Sequence, residues 1–208
     1  MAGCFISFEG IDGSGKSTQA RLLAERLRAA GKVVTLTREP GGSAGAEEIR
    51  ALVLQGAADR WSAETEILLF TAARRDHLEK TIRPALARGE VVITDRFADS
   101  TRIFQGITRG DLSETVDRLH DLMIGTEPDL TLLFDLNPAE GLARANARAG
   151  IEMRFEDMGL QFQTAARAGF LALSKRFPDR FRVIDGGRPM DQVAAEVWKI
   201  VQPELGLV

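Results

Sequence analysis

Short apolar segments rich in β-branched residues recur along the chain, and longer stretches with helical periodicity separate them. Segments of this length that are apolar on both faces are typical of buried parallel strands. The alternation predicts an α/β fold with a mostly parallel, five-stranded sheet and helices on both faces. The predicted strands are CFISF (4–8), VVTLT (33–37), VVIT (91–94), LTLLFDL (130–136) and FRVID (181–185).

The stretches between these strands carry helix signals. Residues 16–30 have a helical pattern that stops at a glycine, a common C-terminal cap. Residues 63–88 predict one long helix, disturbed at Pro84 because proline removes a backbone donor. Asn137 followed by Pro138 predicts the start of another helix. In sheets of this kind ligands bind beyond the carboxyl ends of the strands, so the segments that follow the strands are the candidate site.

Composition narrows the class of protein. The chain has 208 residues and no Pro/Gly/Ser-rich linker, so residues 1–208 are predicted to form a single domain. A net charge of −3 argues against a broad nucleic-acid-binding surface, and no apolar run has the length of a membrane span. The single cysteine, Cys4, lies in a predicted strand and cannot form an internal disulfide. The cytoplasm is the predicted compartment, with neither nucleic acid nor membrane as a partner.

The stretch FEGIDGSGKST at 8–18 contains the spacing G-x-x-x-x-G-K-[ST] directly after a predicted strand and before a predicted helix. In that context glycines let successive backbone N–H groups point at phosphate oxygens. Lys16 would reach the β- and γ-phosphates, and Ser17 would bind Mg²⁺. The predicted ATP-binding residues are Gly10, Ile11, Asp12, Gly13, Ser14, Gly15, Lys16, Ser17 and Thr18.

Charged residues follow the second and third strands. Asp95 comes after VVIT, where a carboxylate commonly holds magnesium, although a helix cap is the alternative. Arg38 and Arg96 stand at the ends of the two strands and could converge on one dianionic group. Phe70 and Arg74 are four residues apart on one helical face, which suits recognition of a nucleobase or ordinary amphipathic packing.

Together these stretches resemble the thymidylate kinase family, and the resemblance covers nearly the whole chain. The stretches that carry it are FEGIDGSGKST, TREPGGS, LLFTAARRDH, VVITDRFADST, FQG, PDLTLLFDLNP, GLARANARAG and FRVID. The resemblance implies a P-loop kinase fold that phosphorylates dTMP to dTDP with Mg²⁺-ATP, in dTTP biosynthesis and by direct in-line transfer. It also favours a homodimer.

The resemblance implies roles for matching positions. Asp12 would lie near the sugar 3′-hydroxyl of dTMP, and Glu39 would help to arrange the magnesium water shell. Ser17 and Asp95 are the implied metal site. The implied dTMP-binding residues are Asp12, Arg38, Phe70, Arg74, Arg96, Thr101, Phe104 and Gln105.

The chain departs from the family because it contains no tyrosine. The usual Asp-Arg-Tyr is DRF, with Phe97, and the usual Tyr-Gln-Gly is FQG, with Phe104. Ring packing survives this change, whereas the hydroxyl hydrogen bonds do not. Selection of deoxyribose over ribose is therefore expected to depend more on shape.

None of the variable positions of the phosphate loop is basic, so another segment must supply positive charge to the reacting phosphate. Residues 144–157 resemble the family's lid and carry Arg144, Arg148 and Arg154, although a solvated basic face is the simpler meaning of such a run. The predicted catalytic residues are Lys16, Arg96, Arg148 and Arg154.

Other functions share the phosphate loop. A regulatory GTPase is disfavoured because no Asn-Lys-x-Asp signature occurs, and a partitioning or transport ATPase would not explain TREPGG together with the arginine lid. A kinase for another nucleoside monophosphate remains the nearest alternative. A deoxynucleoside kinase would need a base for a neutral hydroxyl and would not need Arg38 and Arg96.

Overall fold

A computed structural model of the chain describes residues 3–57, 59–147 and 159–207. The predicted α/β architecture is confirmed: five strands form one sheet in the order β2-β3-β1-β4-β5. Every neighbouring pair is parallel, so the sheet within these residues is entirely rather than mostly parallel. The strands are β1 (Cys4–Glu9), β2 (Val34–Arg38), β3 (Val91–Asp95), β4 (Leu130–Asp135) and β5 (Phe181–Asp185).

Helices connect the strands, as parallel crossovers require. In the part of the chain that the structure describes, two π-helical segments accompany the α-helices, at Leu78–Ile82 and Arg102–Ile107. The α-helices of the described residues are α1 (Lys16–Ala29), α2 (Ala44–Leu54), α3 (Ala63–His77), α4 (Arg83–Ala87), α5 (Ala98–Thr101), α6 (Ser113–Met123), α7 (Pro138–Asn146), α8 (Gly159–Arg176) and α9 (Met190–Glu204). No described helix has the length and apolarity needed to cross a membrane.

The long helix predicted over 63–88 is one helical path with a local change of geometry. α3 passes into the π-helical turn at Leu78–Ile82, which passes into α4 with Pro84 in its first turn. Proline lacks the N–H of a regular turn and its ring crowds the carbonyl four residues earlier. The π-helical turn, which is wider than an α-helical turn, lies directly before Pro84. It accommodates the missing hydrogen bond and the crowding that the proline causes.

Alternation along the strands divides the core between the two faces of the sheet. In β1, Ile6 and Phe8 are fully buried in the cluster that α1 and α9 cover. Phe5 points the other way, into a cluster with Phe97 and Ile82. The sheet is thus covered on both faces, and its carboxyl edge stays open for ligands.

Candidate active site

Backbone conformation shapes the phosphate loop. Gly13 and Gly15 have φ angles of 76° and 91°, in the left-handed region that favours glycine. A Cβ on Gly13 would overlap the carbonyl group of Gly141 in α7, whereas a Cβ on Gly15 would meet nothing within 4 Å. Gly13 is therefore required for both its conformation and its close contact with α7.

Lys16 is held at the base of this loop. Its side chain is buried, and its Nζ donates to the carbonyl oxygen of Ile11 at 3.1 Å. Burial lowers the pKa of Lys16 to about 8, and the charge of Arg96 acts in the same direction against nearby carboxylates. Asp12 Oδ1 lies 3.9 Å from this ammonium group, and a phosphate in the loop would add further negative charge beside it.

Ser17 and Asp95 lie together at the carboxyl edge of the sheet. The Ser17 hydroxyl donates to Asp95 Oδ2. The other carboxylate oxygen, Asp95 Oδ1, is buried and has no hydrogen-bond partner among the described residues. One hydroxyl beside one incompletely satisfied carboxylate fits Mg²⁺, which commonly binds one or two carboxylates together with substrate phosphates and water.

Asp12 and Arg96 join the phosphate loop to the neighbouring strand end. Arg96 donates to Asp12 Oδ1 at 2.7 Å, to the Gly10 carbonyl oxygen at 3.0 Å and to Ser100 Oγ at 2.9 Å. Its φ of 71° lies in the left-handed region, which costs a non-glycine residue about 1 kcal/mol. The surrounding contacts hold the guanidinium against the loop in spite of that cost.

The Asp12 carboxylate has a second partner that the sequence analysis missed. Gln163 of α8 is almost fully buried, and its Nε2 donates to Asp12 Oδ2 at 2.9 Å. Burial alone would raise the pKa of Asp12, but the charges of Arg96 and Lys16 and the bond from Gln163 outweigh it, and the pKa is lowered. Asp12 is therefore held as a charged group.

A pocket opens beside Asp12 and Arg96, between α3 and the helical segment 98–107. It brings together most of the predicted dTMP-binding side chains, which come from three separate parts of the chain. Its lining residues are Asp12, Glu39, Pro40, Leu54, Phe70, Arg74, Arg96, Phe97, Ser100, Thr101, Phe104 and Gln105.

Arg74 is fixed in this pocket by a buried ion pair. Its Nε donates to Glu39 Oε2 at 2.7 Å, and its Nη2 donates to Thr101 Oγ1 at 3.0 Å. The other oxygen of Glu39 lies 3.0 Å from His77 Nδ1. Both carboxylate oxygens of Glu39 thus have protein partners, Arg74 and His77. The role of Glu39 in the magnesium water shell stays a prediction.

Gln105 is fixed by a second buried carboxylate. Its Nε2 donates to Glu66 Oε2 at 3.0 Å, and Glu66 also forms an ion pair with Arg109. Glu66 was not among the predicted site residues. Its position four residues before Phe70, on the face that carries Arg74, was the signal that could have identified it.

The two phenylalanines that replace family tyrosines have different surroundings. Phe97 is fully buried and meets Phe5 edge-on at 4.9 Å between ring centroids. Phe104 lines the pocket, stacks on Phe162 at 5.7 Å and lies 4.9 Å beneath the Arg96 guanidinium. Both residues line the pocket, but Phe97 has no exposed surface whereas Phe104 is 8% exposed, so of the two Phe104 is the one that a pocket ligand can reach.

Arg38 is the predicted dTMP-binding residue that the pocket lining does not include. It lies at the end of β2 beside Asp95, as the strand register places it. Its side chain is 55% exposed and pairs with Glu47 at 3.2 Å. To contact a bound phosphate, this guanidinium would have to leave Glu47, and its exposure leaves it room to do so.

A second pocket lies on the opposite side of the phosphate loop. Gly13, Gly15 and Thr18 form one wall, and Arg144 and residues 186–190 form the other. Arg144 donates to the Gly186 carbonyl oxygen at 3.2 Å. This position beside the loop suits the base and ribose of the nucleotide whose phosphates the loop holds. Of the three lid arginines, only Arg144 is described; Arg148 and Arg154 lie outside the described residues.

Comparisons with known proteins agree with this geometry. The family model for thymidylate kinase matches residues 8–197. Thymidylate kinases of Ruegeria pomeroyi and Dinoroseobacter shibae are 70% and 67% identical, over 98% and 94% of this chain and 96% and 94% of their own lengths. A crystal structure of thymidylate kinase from Ehrlichia chaffeensis superposes with a TM-score of 0.79 at 38% identity, covering 97% of this chain and 99% of that one. The chain belongs to the thymidylate kinase family.

Proposed function

We propose that this enzyme transfers the γ-phosphoryl group of Mg²⁺-ATP to dTMP and forms dTDP, the step that leads towards dTTP. Membership of the thymidylate kinase family supports the reaction class. The acceptor phosphate is already anionic near neutral pH, so the transfer needs positioning and charge neutralisation rather than a general base. In this proposal the phosphoryl group passes directly and in line from ATP to the acceptor phosphate.

The position of Arg96 carries this proposal. Its guanidinium contacts Gly10 and Asp12 of the phosphate loop and also lines the pocket that contains Phe70. A cation at that point can hold the acceptor phosphate facing the end of a triphosphate in the loop. A pocket for a nucleobase on one side and a phosphate cradle on the other fit a nucleoside monophosphate kinase.

Different groups of described residues would bind the donor phosphates, the magnesium ion and the three parts of dTMP. Lys16 and the loop N–H groups would hold the donor phosphates, and Ser17 and Asp95 would hold magnesium, which neutralises phosphate charge when it is bound. Phe70 would stack on thymine while Arg74, Thr101 and Gln105 contact its polar edge, with Phe104 beside the sugar. Arg38 and Arg96 would bind the acceptor phosphate, and Asp12 the sugar hydroxyl.

Arg148 and Arg154 are proposed to complete the charge around the transferred group. The phosphate loop has no basic residue at its variable positions, so the positive charge must come from elsewhere. The lid segment at about 144–157 supplies it in this proposal. Closure of such a segment would also exclude water, which competes with dTMP as acceptor.

An acceptor assay tests the function. The protein is incubated with Mg²⁺-ATP and separately with dTMP, dUMP, UMP, GMP or thymidine, and the nucleotide products are separated. We expect dTDP from dTMP and no product from thymidine. Turnover of another monophosphate without dTDP would replace the substrate while keeping the kinase class, and hydrolysis of the nucleotide with no acceptor product would favour a switch or an ATPase.

A second copy of the chain is the proposed partner, alongside ATP and dTMP. Leu68 of α3 is 59% exposed, and Leu122 of α6 is 75% exposed. The same two helices are tied by Arg75, which donates to the Met123 carbonyl oxygen at 2.6 Å. Sedimentation velocity of wild-type and Leu68→Glu protein tests this: the wild type should sediment as a dimer and the variant as a monomer.

A further inference from the structure

The polar groups behind the base pocket are arranged on one face of α3. Glu66, Phe70 and Arg74 follow each other at four-residue intervals, so they lie in one row along the helix. Thr101 and Gln105, also four residues apart, face this row from the segment 98–107. Arg74 and Gln105, one at each end of the arrangement, both reach the pocket.

The bond between Gln105 and Glu66 determines which way the Gln105 amide points. An ionised carboxylate only accepts hydrogen bonds, and of the two ends of an amide only the NH₂ donates. The NH₂ of Gln105 must therefore face Glu66, which it meets at 3.0 Å. The amide carbonyl oxygen, Oε1, is then the polar atom that Gln105 can offer to a base in the pocket.

Glu66 accepts hydrogen bonds on both of its oxygens. It is fully buried, and its other oxygen pairs with Arg109, whose Nη2 donates to the Trp61 carbonyl oxygen at 3.1 Å. A guanidinium can only donate, so the Glu66 carboxylate accepts from Arg109 as well as from Gln105. The alternative amide orientation would place two acceptors against each other.

Arg74 offers the opposite hydrogen-bonding character. In the described part of the chain its Nε donates to Glu39, and its Nη2 donates to Thr101 and to the Phe97 carbonyl oxygen at 3.2 Å. These contacts leave Nη1 to donate into the pocket. The pocket thus presents a donor from Arg74 and an acceptor from Gln105.

We propose that Glu66 is a specificity-determining residue: by fixing the Gln105 amide it makes the pocket complementary to a 4-oxo, N3–H pyrimidine and mismatched to cytosine. Thymine and uracil place an accepting O4 next to a donating N3–H. Cytosine places a donating amino group next to an accepting N3, the reverse of what Arg74 and Gln105 offer. This inference rests on the proposed function, since it assumes that the base of the acceptor occupies this pocket.

The variant Glu66→Gln tests it through the ratio of kcat/KM for dTMP to kcat/KM for dCMP. A glutamine at position 66 can donate as well as accept, so Gln105 becomes free to turn its NH₂ towards N3 of cytosine. We expect the ratio to fall by about tenfold or more, the scale of one mismatched buried hydrogen bond. A residue with only a structural role would lower both kcat/KM values together and leave the ratio unchanged.

Two matched variants separate the orientation of Gln105 from the loss of the ion pair. Arg109→Lys perturbs the same buried pair but keeps the carboxylate, so the wild-type ratio should persist. Glu66→Asp keeps an obligate acceptor and should retain most of the discrimination. A lowered ratio in Arg109→Lys equal to that in Glu66→Gln would overturn the role of Glu66.

If Glu66→Gln does not fold, as judged by its thermal unfolding, Gln105→Ala tests instead whether the carbonyl oxygen of Gln105 faces the base. Removal of the carbonyl oxygen should lower kcat/KM for dTMP and should not lower it for dCMP, whose N3 that oxygen opposes. Equal losses for the two substrates would contradict the assignment.

Failure of the wild type to form dTDP would overturn the proposed function together with this inference, whereas normal dTDP formation with an unchanged ratio would overturn only the inference.

Discussion

The phosphate loop is shaped by backbone conformation, whereas the neighbouring pocket lined by Phe70 is shaped by an ion pair and a hydrogen bond between side chains distant in sequence. In the loop, the glycines and Lys16 follow each other within a few residues, and the strand and helix on either side set their direction. In the pocket, Arg74 depends on Glu39 and Gln105 on Glu66, pairs that are 35 and 39 residues apart. The loop is a local structure and the pocket a tertiary one, so substitutions should affect them differently.

The largest effect is expected at the lid, because none of the variable positions of the phosphate loop is basic. Arg154→Ala should lower kcat by about 10³-fold or more, because an arginine on the transferred phosphate typically supplies 10³ to 10⁵. The KM for dTMP should change little, because the role proposed for Arg154 is on the transferred phosphate and not on the base of dTMP. Steady-state kinetics with varied dTMP measure both constants. A near-normal kcat would move the role to Arg148 or Arg144.

A pair of glycine variants separates contact from conformation in the loop. Gly13→Ala should lower the free energy of unfolding by about 3 kcal/mol, because it combines left-handed strain with overlap against Gly141. Gly15→Ala meets only the strain and should lose about 1 kcal/mol. Urea unfolding of the two proteins measures the difference, and equal losses would show that α7 yields to the added methyl group.

Disruption of the pocket should change substrate binding more than turnover. Glu39→Gln removes the charge that holds Arg74 and should raise the KM for dTMP about tenfold with a smaller change in kcat. Glu79→Gln is the control, because it breaks the exposed Arg75–Glu79 pair one helical turn away, and exposed pairs contribute little. An unchanged KM in Glu39→Gln would show that packing alone orients Arg74.

The smallest effect is expected from the titration of Glu9. This residue ends β1, directly before the phosphate loop, and it bonds to Phe97 and Ser100, which line the pocket. Its carboxylate, at the end of β1, accepts from Phe97 N at 2.7 Å and from Ser100 Oγ at 2.6 Å. Burial, together with the charge of Asp99, raises the pKa of Glu9 from 4.5 to about 7. Between those values the folded protein binds more protons than the unfolded chain, so stability falls as the pH rises.

Comparison of wild-type and Glu9→Gln protein isolates this contribution. The free energy of unfolding of the wild type should decrease more between pH 5 and pH 7 than that of the variant. Urea unfolding at both pH values measures the two decreases. Parallel pH dependence in the two proteins would exclude Glu9 as the group that binds the proton.

The amino-acid sequence alone predicted the five strands, the phosphate loop and the family, because each depends on a local pattern of residues. It also predicted that Phe70 and Arg74 share a helical face, since helical spacing decides that directly. It did not predict the partners of Gln105 and Arg74, or the bond from Gln163 to Asp12. Those contacts join segments that meet only when the sheet and its crossovers have formed.

What the tertiary structure decided is therefore the orientation of the groups rather than their identity. The family resemblance predicted that Gln105 and Arg74 contact a nucleobase, but a glutamine amide can present either a donor or an acceptor. In our proposal the buried carboxylate of Glu66, brought from another helix, turns the acceptor oxygen of Gln105 towards the pocket.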